Sequence, residues 1–333
     1  MTYLSDESPV CEGIPWTADL GRLELVVDQP LVEKFEELGE VPRAGSTRTV
    51  GEISPPCPPQ AGGETRVEGT CWHKDGRCAN IALMCVGHDA ELPALPPGPQ
   101  AAVSERLILE AADGNRFNAF AADPAEPTDA AVLVLPDVRG LFKFYEDLAC
   151  RFAAEGHRSI AIDYFGRTAG TEERDSNFPY MDHIPRTTSQ GLNADIGAAV
   201  AHLRADNPDV RIYTVGFCFG GNISWGAATQ EVHALAGAIG FYGMPDADRP
   251  AGDGAIRDRC HLIESPVLAL FGGDDPGIPP ENIARFDAAL EDAGVPHEVL
   301  TYAGAPHSFF DRSQGEFSAE SLDAWNRMME FIH

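Results

Sequence analysis

The stretch Arg211-Ile212-Tyr213-Thr214-Val215-Gly216-Phe217-Cys218-Phe219-Gly220-Gly221 decides how the chain is read. Arg211 to Val215 is a short apolar run that predicts a buried strand, and a helical pattern follows Gly221. Cys218 sits between them with a glycine two residues before it and another two residues after it, the G-x-nucleophile-x-G spacing at a strand-to-helix turn. The demand is steric. A sharp turn holds its central residue in a strained conformation, so both flanking positions must be small for the chain to close. The start of the following helix adds unpaired N–H groups and a positive dipole end, which lower a thiol pKa and stabilise an oxyanion. The competing reading is a buried structural cysteine beside a helix-packing Gly-Gly pair.

Downstream, Val267 to Phe271 predicts another buried strand, followed by Gly272-Gly273-Asp274-Asp275-Pro276-Gly277-Ile278-Pro279. The strand His297 to Thr301 is followed by Gly304-Ala305-Pro306-His307-Ser308. Nucleophile, acid and base therefore follow one another in chain order, each at a predicted strand end. His307 is placed to take the thiol proton while the acid fixes its tautomer. Asp275 is preferred to Asp274 because Pro279 stands four residues on. Taken singly, His307 reads equally well as a surface or capping residue, and Asp275 as a turn former.

Upstream, Glu105 to Ala111 and Phe117 to Ala122 flank Asp113-Gly114-Asn115, a hairpin signal. Ala130 to Leu135 is an all-apolar strand, Phe144 to Ala154 a helix that stops at Gly156, and Ser159 to Asp163 a further strand before a long polar loop to Gln190. Helices at Asn193 to Leu203, Glu281 to Ala293 and Ala319 to Phe331, with a strand at Ala234 to Tyr242, complete the series. Apolar strands alternating with helices predict an α/β fold, a mostly parallel sheet with helices on both faces after an opening antiparallel pair. Ligands in such folds bind beyond the carboxyl ends of the strands.

Residues 101 to 333 resemble the dienelactone hydrolase (carboxymethylenebutenolidase) family of α/β-hydrolases. The likeness is carried by Leu135-Pro136-Asp137-Val138-Arg139-Gly140, Asp163-Tyr164-Phe165-Gly166-Arg167, the Cys218 turn, the Asp275 loop and His307-Ser308-Phe309, in family order. The resemblance implies a catalytic set of Cys218, Asp275 and His307, with the N–H groups of Phe219 and Val138 as the oxyanion hole. It also implies a thiol-gating acid at Asp137, where the family has glutamate, and a substrate-carboxylate arginine at Arg167, with Arg139 as a substitute. The family's second such arginine, four residues after the histidine, is replaced by Asp311. The reaction implied is thiolate attack on an ester or lactone carbonyl, a tetrahedral oxyanion, then hydrolysis of the thioester by water that His307 activates. It needs no metal or cofactor. Three alternatives stand beside a lactone of the carboxymethylenebutenolide type: a general carboxylesterase, a thioesterase on neutral substrates, and a non-catalytic thiol- or metal-binding protein on the same fold.

Composition narrows the partners. With 333 residues, 44% hydrophobic and 23% charged, the chain has ample material for a core. A formal net charge of -28, from 52 acidic and 24 basic residues, repels phosphate backbones and anionic lipid heads. A small-molecule substrate is expected, not nucleic acid or a membrane. No apolar run reaches the ~18 to 20 residues of a membrane span, and Met1 to Ser8 has neither a basic nor an apolar leader region, so a cytoplasmic location with reduced thiols is expected. Long-range repulsion extends only about 8 Å at ~0.15 M salt, which leaves the pocket's own charges in control of substrate choice.

Residues 1 to 100 read as an irregular extension, closed by Leu92-Pro93-Ala94-Leu95-Pro96-Pro97-Gly98-Pro99. A strand at Leu23 to Val27 and a short helix at Leu31 to Leu38 precede a Pro/Gly/Ser-rich stretch. Cys71, His73, Cys78, Cys85 and His88 invite a zinc reading, but they lack the tight C-x2-C spacing of structural zinc sites. A Cys71 to Cys78 disulfide is a further alternative. The preferred expectation is a cover segment whose cysteines and Trp16 or Trp72 pack on the hydrolase surface.

Overall fold

The computed structural model describes residues 90–100 and 102–333. The expectations for residues 1–89, including the strand, the short helix and the cysteine and histidine cluster, lie outside the described residues. Eight strands form one sheet: β1 (Ala102–Glu110), β2 (Arg116–Pro124), β3 (Ala130–Leu135), β4 (Arg158–Ile162), β5 (Arg211–Phe217), β6 (Gly237–Phe241), β7 (Val267–Gly272) and β8 (His297–Tyr302). Their spatial order is β1-β2-β4-β3-β5-β6-β7-β8. β2 runs antiparallel to both β1 and β4, and every remaining neighbour pair is parallel. The helices are α1 (Lys143–Ala154), two short helices α2 (Gly166–Ala169) and α3 (Tyr180–His183), then α4 (Ser189–Leu203), α5 (Phe219–Ala227), α6 (Pro280–Asp292) and α7 (Ser318–Ile332).

β3 shows why the sheet is covered on both sides. All six of its residues are buried, and successive side chains point to opposite faces. Val132 and Val134 join Phe144, Tyr145, Leu148 and Phe152 of α1 in one apolar cluster. Ala131, Leu133 and Leu135 join Leu192, Ile196, Ala199 and Leu203 of α4 in the other. A strand that is apolar throughout, rather than alternating, is what a doubly covered parallel sheet requires.

Local chemistry fixes the ends of the elements. Thr188 caps α4 by accepting the Gly191 N–H at 3.2 Å. Pro280 opens α6 at a position where a missing N–H costs nothing. Several elements differ from the sequence reading, among them β1, which begins at Ala102 rather than Glu105, and α4, which begins at Ser189 rather than Asn193. β6 begins at Gly237, not Ala234, because Ala234 takes a left-handed φ of 46° that ends a preceding turn. α5 begins at Phe219, before Gly220 and Gly221. The loop to Gln190 contains α2 and α3, each a single turn and too short to show a period. Cys150 on α1 is disulfide-bonded, whereas Cys218 and Cys260 are not, which departs from the expectation of uniformly reduced cysteines. Among the described residues no helix is long and apolar enough to cross a membrane.

Candidate active site

The turn between β5 and α5 places Cys218 at φ 55° and ψ -111°, a left-handed conformation that non-glycine residues rarely adopt. The neighbouring glycines make the turn possible. A Cβ on Gly216 would lie 1.9 Å from the Gly220 carbonyl oxygen, and one on Gly220 would lie 2.1 Å and 2.3 Å from the carbonyl oxygens of Leu135 and Pro136. Main chain thus packs on main chain where β5, α5 and the exit of β3 meet. The Cys218 N–H donates to the Phe241 carbonyl at 2.9 Å, and the Cys218 carbonyl accepts from Gly221 N–H at 3.0 Å. The sulfur stands beside α5's first turn, whose N–H groups have no partners within the helix.

Beyond β7, Asp275 is buried and fixed by the Gly277 N–H, which donates to its Oδ1 at 2.8 Å. Its Oδ2 lies 2.6 Å from Nδ1 of His307, beyond β8. Asp274, the alternative acid, is exposed. Burial disfavours a charged His307. The Cys218 sulfur, by charge and as a hydrogen-bond partner, and Asp275 overcome that and push the imidazole up to about 10. Nε2 of His307 is buried, and Cys218 acts on the ring by charge and hydrogen bonding.

Val138, on the loop after β3, and Phe219 line one cleft with Cys218, together with Asn222, Met244 and Arg249. Two tyrosines pin that loop: the Tyr145 hydroxyl accepts the Asp137 N–H at 2.9 Å, and the Tyr164 hydroxyl donates to the Pro136 carbonyl at 2.7 Å. Neither the Val138 nor the Phe219 N–H has a hydrogen-bond partner among the described residues.

The other predicted residues are placed differently. Asp137 is buried and paired with Arg139: Oδ2 accepts from Nη2 at 3.0 Å and Oδ1 from the Arg139 N–H at 2.8 Å. Arg139 lies 4.6 Å from the Phe142 ring centre and is itself 7% exposed, so both side chains serve each other. Arg167 is engaged by Asp113 at 2.6 Å, by Asp195 at 2.8 Å and by the Gly191 carbonyl at 2.9 Å, joining the β1–β2 hairpin to α4. Asp195 is buried, which pushes its carboxyl up to about 6 against the pull of Asn115 and Arg167.

Asn222 and Arg249 were not singled out in the sequence. Asn222 is one turn into α5 and donates to the carbonyls of Met244 and Arg249, at 2.8 Å and 3.3 Å. No periodicity or motif marks either residue, because they meet only through the loop after β6. A larger cavity of about 610 Å³ lies over β1, β2 and α1, bordered by Arg106, Asn118, Phe142 and Arg174. It contains none of Cys218, Asp275 and His307.

This sheet order, with a strained turn after β5, an acid after β7 and a histidine after β8, is that of an α/β-hydrolase. The model of the dienelactone hydrolase family matches residues 117–333, and the chain belongs to that family. A Salmonella typhimurium protein provisionally named carboxymethylenebutenolidase is 27% identical over 252 residues, covering 72% of this chain and 91% of its own. A carboxymethylenebutenolidase of Rhodococcus opacus is 27% identical over 209 residues, covering 60% and 79%. Among solved structures, one from Klebsiella pneumoniae provisionally titled dienelactone hydrolase shares the fold, with a TM-score of 0.60 at 23% identity over 70% of this chain and 98% of that one. Membership makes the protein a hydrolase of ester or lactone bonds with a small-molecule ester substrate.

Proposed function

We propose that this hydrolase works through Cys218 as nucleophile, His307 as acid and base, and Asp275 as the group that orients His307. The observation that carries this reading is the 2.6 Å bond between Asp275 and His307 beside a cysteine held in the left-handed turn. The thiolate adds to an ester or lactone carbonyl, and the N–H groups of Phe219 and Val138 receive the oxyanion. The His307 cation protonates the leaving oxygen as the carbonyl reforms, which leaves a thioester on Cys218. Neutral His307 then takes a proton from water, hydroxide adds to the thioester, and the thiol is released with the acid product.

The substrate is either an anionic lactone of the carboxymethylenebutenolide type or a neutral short-chain ester. The ion pairs that occupy Arg167 and Arg139 favour the neutral ester. Arg249 is a cationic side chain that lines the cleft, and it favours the anionic one. The test compares Cys218→Ala with the parent on 4-nitrophenyl acetate and on an anionic dienelactone. Loss of turnover on both, with one equivalent of iodoacetamide taken up at Cys218 in the parent, supports the mechanism. Unchanged turnover in the variant overturns it. The parent's ratio of kcat/KM between the two substrates decides their order, and Arg249→Gln should lower only the anionic value.

A further inference from the structure

The mechanism above leaves one buried ionisable group beside the imidazole without a task. Asp311 is 1% exposed. The Tyr242 hydroxyl donates to its Oδ2 at 2.8 Å, and the Arg312 N–H donates to its Oδ1 at 2.6 Å. The same Tyr242 lays its ring against His307, with centroids 4.8 Å apart and planes inclined by 52°. Tyr242 reaches that position at a cost: it stands just after β6 with a φ of 38°, where a bulky side chain is strained, and its N–H is held by the Leu270 carbonyl at 2.7 Å. Strain maintained at the wall of an active site calls for a reason.

We propose that Asp311, acting through Tyr242, is a positioning residue that keeps His307 protonated as the partner of Cys218. This rests on the reading of Cys218 and His307 as the reacting pair. An ionised Asp311 draws on the Tyr242 O–H and enriches the ring that faces the imidazole, and an electron-rich ring face attracts a cation. The carboxylate charge acts in the same direction through a medium that screens poorly. His307 is thereby supported from two sides, by Asp275 at Nδ1 and by the tilted Tyr242 ring with Asp311 behind it. The charged and titratable groups around Asp311 include Tyr242 after β6, Asp137 after β3, His307 after β8, Tyr145 of α1 and the adjacent Arg312. Burial pushes the Asp311 carboxyl up to about 7, opposed by the Tyr242 hydrogen bond and by His307, while Asp137 pushes it further up. The support is thus adjustable in the neutral range.

The test uses the full chain with Asp311→Asn, Asp311→Glu and Tyr242→Phe. Two readouts are taken across pH: the alkaline limb of kcat/KM on 4-nitrophenyl acetate, and the ring nitrogen signals of His307 in protein labelled with ¹⁵N-histidine. Asp311→Asn should move both to lower pH by roughly half to one unit. Tyr242→Phe should move them the same way, and Asp311→Glu should recover most of the shift. A group that merely anchors the loop would lower stability and leave both curves in place, and that result overturns the proposal. If Asp311→Asn does not fold, Tyr242→Phe decides, because it keeps the ring; an unmoved His307 titration then overturns it. A His307 shift in a protein that hydrolyses no ester would keep this proposal and reject the catalytic reading.

Discussion

Oδ2 of Asp275 and Nδ1 of His307 lie 2.6 Å apart although 32 residues separate them in the chain. The bond leaves Nε2 as the ring nitrogen available to the thiol and fixes which tautomer exists when the ring is neutral. Asp275→Asn keeps the side chain's volume but presents an amide where a carboxylate stood. We expect kcat to fall by about 10²- to 10⁴-fold with the fold intact, read by steady-state kinetics alongside circular dichroism.

Gly220 and Gly226 belong to the same helix and should respond in opposite ways to alanine. A Cβ at Gly220 meets two carbonyl oxygens at 2.1 Å and 2.3 Å, both of rigid main chain. Gly220→Ala should cost about 1–3 kcal/mol and, by parting the Phe219 and Val138 N–H groups, most of the activity. Nothing lies within 4 Å of a Cβ at Gly226, so Gly226→Ala should stabilise by about 0.5–1 kcal/mol. Urea midpoints and kcat of the two variants check the contrast.

Arg167 shields Asp195, and its removal should hurt more at high pH than at low pH. Asp195 titrates near 6, above the ordinary 3.8, because burial disfavours its charge. In Arg167→Gln the carboxylate loses its cation, so its pKa climbs further. At pH 8 the native state then holds an unpaired buried charge, worth about 2 kcal/mol of lost stability. At pH 5 the carboxyl is protonated and the loss is smaller. Equal losses at the two pH values would show that Arg167 acts through packing alone.

Asp311 makes its own prediction for stability. Its pKa is raised from 3.8 to about 7 by burial, so the native state binds this proton more tightly than the unfolded state does. The contribution is fully present below the ordinary carboxylate value and is lost as pH rises through about 7. Asp311→Asn removes the titration. Relative to the parent, the variant should gain stability steadily between pH 4 and pH 7, measured as the difference in urea midpoint at each pH.

What the sequence made legible was whatever depends on chain-local pattern. β3 stands where its six apolar residues predict it, and the Cys218 turn and Asp275 follow strands marked by continuous apolar runs. Less legible was whatever depends on who meets whom. The pairing of Arg167 with Asp113 spans 54 residues, and that of Tyr242 with Asp311 spans 69. Neither leaves a local signature. A pair of glycines argues against a helix start, whereas here Gly220 lets the first turn of α5 touch the end of β3 and Gly221 lets it touch the end of β6. Arg139 and Asp137 stand two residues apart, yet whether they face a ligand or each other is a matter of rotamer, which spacing does not report.

At Gly220, helix, strand and loop are joined by bare peptide groups with no side chain between them. In the proposed mechanism the Cys218 sulfur and both oxyanion donors are therefore mounted on a single seam. A side chain can drift by repacking, but a seam of this kind either holds or parts. Heat or denaturant should consequently extinguish activity in one step, with no partially competent species in which the thiol survives and the oxyanion site has gone.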